Sequence, residues 1–208
     1  MTAVPVRAPE VGDAGRMLAA ESARYAALGW MRGTSGNLSV RLSADPLVLA
    51  VTASGLDKGE LTAADIVLVD RDGAALPDQP GPARRPSAEA GLHARIAAVT
   101  GAGAVVHLHA LPAVLAAERW PAGVPLRDHE LLKGLGRGAD GDLVTVPVVP
   151  NSQDMRVLGD AFQKVWRPDV PALLVARHGV YVWGDDLRAA RQYLESLEWL
   201  LRFVTAAG

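Results

Sequence analysis

The sequence contains no cysteine, which excludes disulfide bonds and thiolate metal ligands. It carries little net charge, formally −2 over 208 residues, so no strong basic field indicates a nucleic-acid partner. It has no uncharged apolar run of the about 20 residues that a membrane helix requires, and residues 1–10 lack the apolar segment of a signal peptide. We therefore expect a cytoplasmic protein without nucleic-acid or membrane partners, in which any zinc site uses His, Asp or Glu.

The composition that remains is typical of one globular domain. Half of the residues are hydrophobic and 21% are charged, and the length is sufficient to bury a sizeable core. We find no internal repeat and no long linker, so the sequence predicts a single domain over residues 1–208. Residues 1–10 contain two prolines and are expected to be frayed.

Hydrophobic periodicity predicts alternating helices and short strands. The predicted helices are 13–29, 87–100, 111–119, 129–135, 152–166 and one that follows Asp186. The predicted strands are 38–42, 47–52, 66–69, 104–108, 143–149, 172–175 and 180–183. Ser87 is predicted to cap the second helix. This alternation indicates a layered α/β fold around a mostly antiparallel or mixed sheet, whose strand order stays open.

Three of the five histidines lie at the ends of apolar strands. His107 and His109 are two residues apart, so on a strand both side chains point to the same face, while Leu108 points into the core. His178 follows the apolar strand 172–175. Three histidines with an open fourth position are typical of a catalytic zinc site. Alternatively, His107 and His109 are merely polar residues at an exposed strand end.

Several turns carry groups that bind anions. Hydroxyls, amides and exposed backbone N–H groups occur in a glycine-rich turn, in a second loop and at a predicted helix start, where the helix dipole favours negative charge. The candidate phosphate-binding residues are Thr34, Ser35, Gly36, Asn37, Ser54, Gly55, Lys58 and Ser87. Each of them is also compatible with an ordinary turn.

Two carboxylates are candidates for acid–base chemistry. Glu89 lies two residues after Ser87, and Glu130 follows His129. Both also lie at predicted helix starts, where an acidic residue is favoured by the helix dipole alone. The pattern does not choose between Glu89 and Glu130.

The order of these segments resembles the class II aldolase/adducin family over about residues 15–205. The segments that carry the resemblance are Gly33-Thr34-Ser35-Gly36-Asn37-Leu38-Ser39, Thr52-Ala53-Ser54-Gly55, Pro86-Ser87-Ala88-Glu89, His107-Leu108-His109 and His178-Gly179. The resemblance implies a three-layer fold with helices on both sides of the sheet. It also implies that His107, His109 and His178 bind one zinc ion per subunit, and that the anion-binding turns hold a substrate phosphate.

Further stretches resemble a dehydratase branch of that family. They are Ser54-Gly55-Leu56-Asp57-Lys58-Gly59, His129-Glu130-Leu131-Leu132-Lys133-Gly134, Asn151-Ser152-Gln153-Asp154 and His178-Gly179-Val180-Tyr181-Val182-Trp183-Gly184. This implies a homotetramer that removes water from a phosphorylated ketose, 5-methylthioribulose 1-phosphate, in methionine salvage. Glu130 matches the acid/base of that branch, which makes it the first choice for the proton transfers. Glu89 matches the catalytic glutamate of the aldolases, a position that is less uniform among the dehydratases.

Two other functions are compatible with the same segments. A sugar-phosphate aldolase or 4-epimerase, of the fuculose or ribulose phosphate type, would share the histidines and the phosphate loops. A non-catalytic adducin-like binding module would not need the metal ligands, and the presence of all three histidines argues against it. One departure from the family pattern is Arg177, which stands where many relatives have glycine.

Overall fold

In a computed structural model of the chain, residues 8–207 are described. The helices are α1 (Ala8–Ala27), α2 (Ala90–Thr100), α3 (Leu111–Arg119), α4 (Met155–Val165) and α5 (Leu187–Ala206), with a short 3₁₀ helix at Glu130–Leu135. The strands are β1 (Asn37–Ala44), β2 (Leu47–Thr52), β3 (Ile66–Val69), β4 (Ala104–Leu108), β5 (Val124–Arg127), β6 (Leu143–Val146), β7 (Val148–Val149), β8 (Ala172–Val175) and β9 (Gly179–Gly184). The predicted fraying of residues 1–10 falls mostly outside the described residues, and α1 begins at Ala8.

Seven strands form one sheet in the order β3-β2-β1-β4-β9-β8-β7. Every neighbouring pair is antiparallel except β7 and β8, which run parallel. The predicted mostly antiparallel or mixed sheet is therefore confirmed. Strand β4, which ends just before His109, is the central strand, so its last residues are flanked by β1 on one side and by β9 on the other.

Helices cover both faces of this sheet, as the three-layer prediction requires. Helices α1, α3 and α5 pack on one face, against side chains that include Val106 and Leu108 of β4. Helices α2 and α4 pack on the other face, against Val105 of the same strand. Leu108 is fully buried, which contributes about 1.5–3 kcal/mol relative to an exposed side chain. The alternation along β4 directs His107 to the α2 side.

The predicted strand 143–149 is divided by Pro147 and serves two sheets. Proline has no N–H to donate and fits poorly inside a strand. Residues before it pair with β5 in a separate two-stranded sheet, and those after it pair with β8. Strand β5 was not predicted, because it is only four residues long and contains Pro125.

The second helix begins three residues later than predicted. Ser87 does not cap it, because its hydroxyl accepts a hydrogen bond from the N–H of Glu89, which precedes the first helical residue, Ala90. The last helix begins as predicted after Asp186, whose side chain accepts a hydrogen bond from the N–H of Ala189 at 2.8 Å. None of the helices within residues 8–207 has the length and apolarity needed to cross a lipid bilayer.

Candidate metal centre

The three predicted histidine ligands come together at one end of the central strand. The ring centroids of His107, His109 and His178 form a triangle with sides of 4.8, 4.8 and 4.7 Å. The Nε2 atoms of His107 and His109 are 2.9 Å apart. His107 is the next-to-last residue of β4, His109 follows the strand on the same face, and His178 lies in the turn between β8 and β9.

The close approach of β4 and β9 places His178 beside the other two rings. Gly179, the residue after His178, lies against Leu108 of β4. A Cβ atom at Gly179 would be 2.1 Å from the carbonyl oxygen of Leu108, so only glycine fits there. The His-Gly pair therefore combines a ligand with the small residue that lets its strand reach β4.

The imidazole of His107 is oriented by its surroundings. Its Nδ1 donates to the carbonyl oxygen of Val180 at 3.0 Å, which leaves Nε2 directed at the other histidines. The ring of Tyr181 stacks on it, with centroids 4.0 Å apart and an angle of 16° between the planes. His178 has no such anchor, since its buried Nδ1 lacks a hydrogen-bond partner among the described residues.

Glu89 adds a carboxylate to the three histidines. Its Oε1 is 2.8 Å from Nε2 of His178 and 3.5 Å from Nε2 of His107. Its Oε2 accepts a hydrogen bond from Nδ2 of Asn37, which lies directly opposite His107 in the β1–β4 pair. The four ligand atoms, one each from the three histidines and Glu89, all lie within 4.8 Å of one another.

The protonation states of this cluster suit a divalent cation. Burial would raise the pKa of Glu89, but hydrogen bonds from His107, His178 and Asn37 outweigh it and hold that pKa well below its usual range. Burial, together with the charges of His107 and His178, lowers the pKa of His109 to about 4. At neutral pH Glu89 is ionised and His109 is neutral, and these are the forms that bind metal ions. Three imidazoles and one carboxylate therefore fit a divalent metal.

Three loops of predicted phosphate ligands lie next to one another beside this cluster. The Nζ atom of Lys58 donates to the carbonyl oxygen of Thr34 at 3.1 Å, which joins the segments 33–37 and 54–59. The N–H of Ser54 donates to the carbonyl oxygen of Arg85 at 3.0 Å, which joins 54–59 to the segment before α2. Glycine-rich and hydroxyl-bearing residues far apart in sequence thus meet at the end of the sheet that carries the histidines.

Gly36 fixes the first of these loops against β4. Its φ of 78° is in the left-handed region. A Cβ atom there would lie 3.0 Å from the carbonyl oxygen of His107 and 3.0 Å from the side chain of Met31. The loop therefore contacts the backbone of a histidine of the cluster, and glycine permits both the conformation and the contact.

Glu130 lies outside the histidine cluster. It begins the 3₁₀ helix, which packs with α5 on the opposite face of the sheet from the side chain of His107. The Glu130 side chain is 76% exposed, and its Oε1 pairs with Nζ of Lys133 at 2.6 Å. Within one chain, Glu89 rather than Glu130 is the carboxylate next to the histidines.

Arg177 directs its side chain away from the cluster. Its guanidinium forms a two-bond contact with the carboxylate of Glu118 on α3, at 3.0 and 3.2 Å, and both side chains are exposed. Its φ of 56° is in the left-handed region, which favours glycine over other residues.

Two residues that pack behind the cluster, Tyr181 and His93, were not identified from the sequence as part of the site. Tyr181 lies opposite His107 in the β4–β9 pair, and its ring makes an edge contact with His93 at 5.8 Å between centroids. His93 is fully buried on α2, and its Nδ1 lies 2.8 Å from Oγ of Ser39. The available signal was the spacing of four between Glu89 and His93, which places both on one face of a helix.

Comparison with known proteins agrees with this geometry. The family model for the class II aldolase and adducin N-terminal domain matches residues 16–205. The chain belongs to that family. Its membership confirms the resemblance found in the sequence.

Two curated relatives of this class II aldolase family chain bear the same name. A methylthioribulose-1-phosphate dehydratase from Exiguobacterium sp. is 39% identical over 180 residues, which are 86% of this chain and 86% of that protein. A methylthioribulose-1-phosphate dehydratase from Persephonella marina is 35% identical over 178 residues, which are 85% of this chain and 81% of that protein.

A solved structure shares the fold of the class II aldolase domain. The crystal structure of YgbL from Klebsiella pneumoniae superposes with a TM-score of 0.77 at 27% identity. The superposition covers 95% of this chain and 91% of that one. The three-layer arrangement is therefore that of the family.

Proposed function

We propose that this chain is a metal-dependent hydro-lyase that removes water from 5-methylthioribulose 1-phosphate and leaves 5-methylthio-2,3-dioxopentyl phosphate, as in methionine salvage. The observation that carries the proposal is the similarity over more than four-fifths of the chain to relatives named for that reaction. The cluster of three histidines and one carboxylate supports it, because the reaction requires acid–base chemistry next to a ketone.

His107, His109 and His178 would hold a zinc ion, with Glu89 close enough to join them. The set of three imidazoles favours zinc, while iron, cobalt and manganese accept the same donors. A divalent metal bound there supplies Lewis-acid polarisation of the ketone at C2, which acidifies the proton on C3. Metal analysis of the purified protein tests the identity of the ion.

Glu89 is well placed to move protons in this reaction. It is ionised at neutral pH, and the amide of Asn37 fixes one of its oxygens while the other faces His178. An ionised carboxylate there can accept the C3 proton, and a protonated carboxyl group can return a proton as the C4 hydroxyl leaves as water. The H from C3 and the OH from C4 leave together as one water, and the enol that remains becomes the 2,3-diketone when its C3 hydroxyl loses a proton and C4 gains one.

Glu130, which its match to the dehydratase branch favours as the acid/base, remains a candidate beside Glu89. Glu130 is exposed and lies away from the histidines of its own chain. It could act as the acid/base if it reached the histidine cluster of a neighbouring copy. The proposed homotetramer would provide such a neighbour. Light scattering of the purified protein tests the assembly.

A matched pair of variants tests the two carboxylates. A positioned acid or base contributes typically ~10²–10⁴-fold to a rate, so Glu89→Gln and Glu130→Gln are each expected to lower turnover by about that factor with metal still bound. Near-normal turnover in either variant would remove that residue from the mechanism. If the two carboxylates of one site come from different chains, oligomers mixed from both variants would recover activity.

The decisive assay follows the product of 5-methylthioribulose 1-phosphate by NMR, using protein of known metal content. We expect a diketone phosphate that forms only with the metal bound. Cleavage of a carbon–carbon bond, or epimerisation of another sugar phosphate without dehydration of this one, would instead assign the chain to the aldolase or epimerase branch. Phosphate-binding roles for the three loops, which include Ser35, Gly55 and Ser87, are tested by inorganic phosphate as a competitor.

A further inference from the structure

Lys58 is a buried lysine in the loop that precedes β3. Its side chain is among the largest fully buried ones in the described chain, with 1% of the residue exposed. The sequence has only two other lysines, Lys133 and Lys164, and both are exposed. Lysine is almost never fully buried unless its ammonium group is paired. The partners of Lys58 therefore indicate its role.

The ammonium group joins two loops through their backbones. Nζ donates to the carbonyl oxygen of Leu56 at 2.8 Å, within its own loop, and to that of Thr34 at 3.1 Å, in the loop before β1. An ammonium group has three N–H donors, so two of the three are taken by these carbonyls. Both loops belong to the proposed phosphate site.

The charge of Lys58 interacts with the carboxylates of Asp57 and Glu89. Burial lowers the pKa of Lys58, while the carboxylates of Asp57 and Glu89 oppose that shift. A phosphate dianion bound by these loops would meet the negative ends of two carbonyl groups and the charge of Glu89. A cation beneath the loops offsets this repulsion without having to touch the phosphate.

We propose that Lys58 is a positioning residue that ties the loops 33–37 and 54–59 together and offsets the negative charge around them, so that the pair of loops can bind a phosphate group. The tie between the loops stands on the two hydrogen bonds alone. Its effect on phosphate rests on the proposed function, because that function assigns a phosphorylated substrate to these loops.

Lys58→Met tests the proposal, because methionine has a similar length but neither charge nor donors. Phosphate affinity is expected to fall at least about tenfold, because the variant loses both hydrogen bonds that tie the loops and the charge that offsets their negative groups. KM for the sugar phosphate should rise by about the same factor, while kcat changes less than about threefold and metal content is unchanged. Lys164→Met, in the exposed part of α4, is the matched control and should change none of these.

Two measurements separate a tie from a direct phosphate contact. In lysine-labelled wild-type protein, the Lys58 ammonium signal should be protected from exchange with water before phosphate is added, and titration with inorganic phosphate should move it little. In Lys58→Met, amide hydrogen exchange should accelerate in residues 33–36 and 54–57 and stay unchanged in α4 and α5. Wild-type phosphate affinity in Lys58→Met, or a large shift of the Lys58 signal on phosphate binding, would overturn the proposal.

The outcomes also distinguish this proposal from the proposed function. If wild-type protein binds no phosphate but Lys58→Met still loosens both loops, the tie is supported and the phosphorylated substrate is refuted. If the methionine variant does not fold, Lys58→Gln keeps an N–H donor without the charge. An intermediate loss of phosphate affinity is then expected, and wild-type affinity in Lys58→Gln would refute the role of the charge.

Discussion

Replacing Gly36 with alanine tests whether contact between a loop and β4 holds the metal cluster in place. Gly36 has a φ of 78°, and an added Cβ atom would lie 3.0 Å from the carbonyl oxygen of His107. Gly33 provides a matched control in the same loop. Its φ of 60° is also left-handed, but a Cβ atom there would meet nothing within 4 Å.

The two substitutions share one penalty and differ in another. The left-handed conformation costs an L-residue roughly 1–2 kcal/mol, which applies to Gly33→Ala and Gly36→Ala alike. Overpacking a close contact adds typically about 1–3 kcal/mol, and this applies to Gly36 alone. We therefore expect a loss of about 1–2 kcal/mol for Gly33→Ala and about 2–5 kcal/mol for Gly36→Ala. Since the contact is with the backbone of His107, only Gly36→Ala should weaken metal binding.

Urea unfolding of the metal-free proteins measures these free energies, with protein concentration held constant because an oligomer's stability depends on it. A zinc titration of each folded variant then measures metal affinity. Equal losses of stability for the two variants would refute the contact at Gly36. Wild-type metal affinity in Gly36→Ala would refute the effect of this contact on the metal cluster, because it would show that the loop can move without disturbing His107.

Three further predictions concern residues around the cluster. Burial lowers the pKa of His93 to about 3, so as pH falls below about 6.5 the unfolded chain takes up a proton there and the native chain does not. Stability should therefore fall towards pH 3, by up to about 1.4 kcal/mol per pH unit from this residue, and His93→Asn should flatten that slope in urea unfolding. Tyr181→Leu should weaken zinc binding in a competition titration because it removes the ring stacked on His107, whereas Tyr181→Phe should retain it. Arg177→Ala should leave kcat and KM within about twofold, because its side chain pairs with Glu118 on the surface; a larger change would place Arg177 on the substrate.

Much of the fold follows from local sequence. The bounds of β2, β3, β4 and α3 are those predicted, because each is an apolar or periodic run that turn residues interrupt. Asp186 marks the start of α5 through a side-chain cap that needs no tertiary contact. Such elements carry their own signals for beginning and ending.

Other elements are decided by their partners. Strand β5 exists because it pairs with β6, and nothing within its four residues signals that pairing. The run 143–149 has the composition of one strand, but it forms two strands because Pro147 interrupts it between the two sheets. Serine is a common helix cap, but the hydroxyl of Ser87 accepts a hydrogen bond from the N–H of Glu89, before α2 begins at Ala90.

The candidate site divides in the same way. The pairing of His107 with His109 follows from the two-residue repeat of a strand and is visible in the sequence. The placement of Glu89 beside the histidines is not visible in the sequence, because it depends on how α2 docks against β1 and β4. The role of Lys58 was equally hidden, since its partner Thr34 lies on another loop.

The spacing of the four donors along the chain has a consequence for folding. His107 and His109 remain close in the unfolded polypeptide, whereas Glu89 and His178 join them only after the sheet has formed. An unfolded chain thus offers a metal ion two donors, and the native chain offers four. The difference in affinity shifts the folding equilibrium by mass action, by about 4 kcal/mol when free metal is a thousand times the native dissociation constant and binding to the unfolded chain is negligible. Metal-loaded protein should therefore resist urea to a higher concentration than metal-free protein.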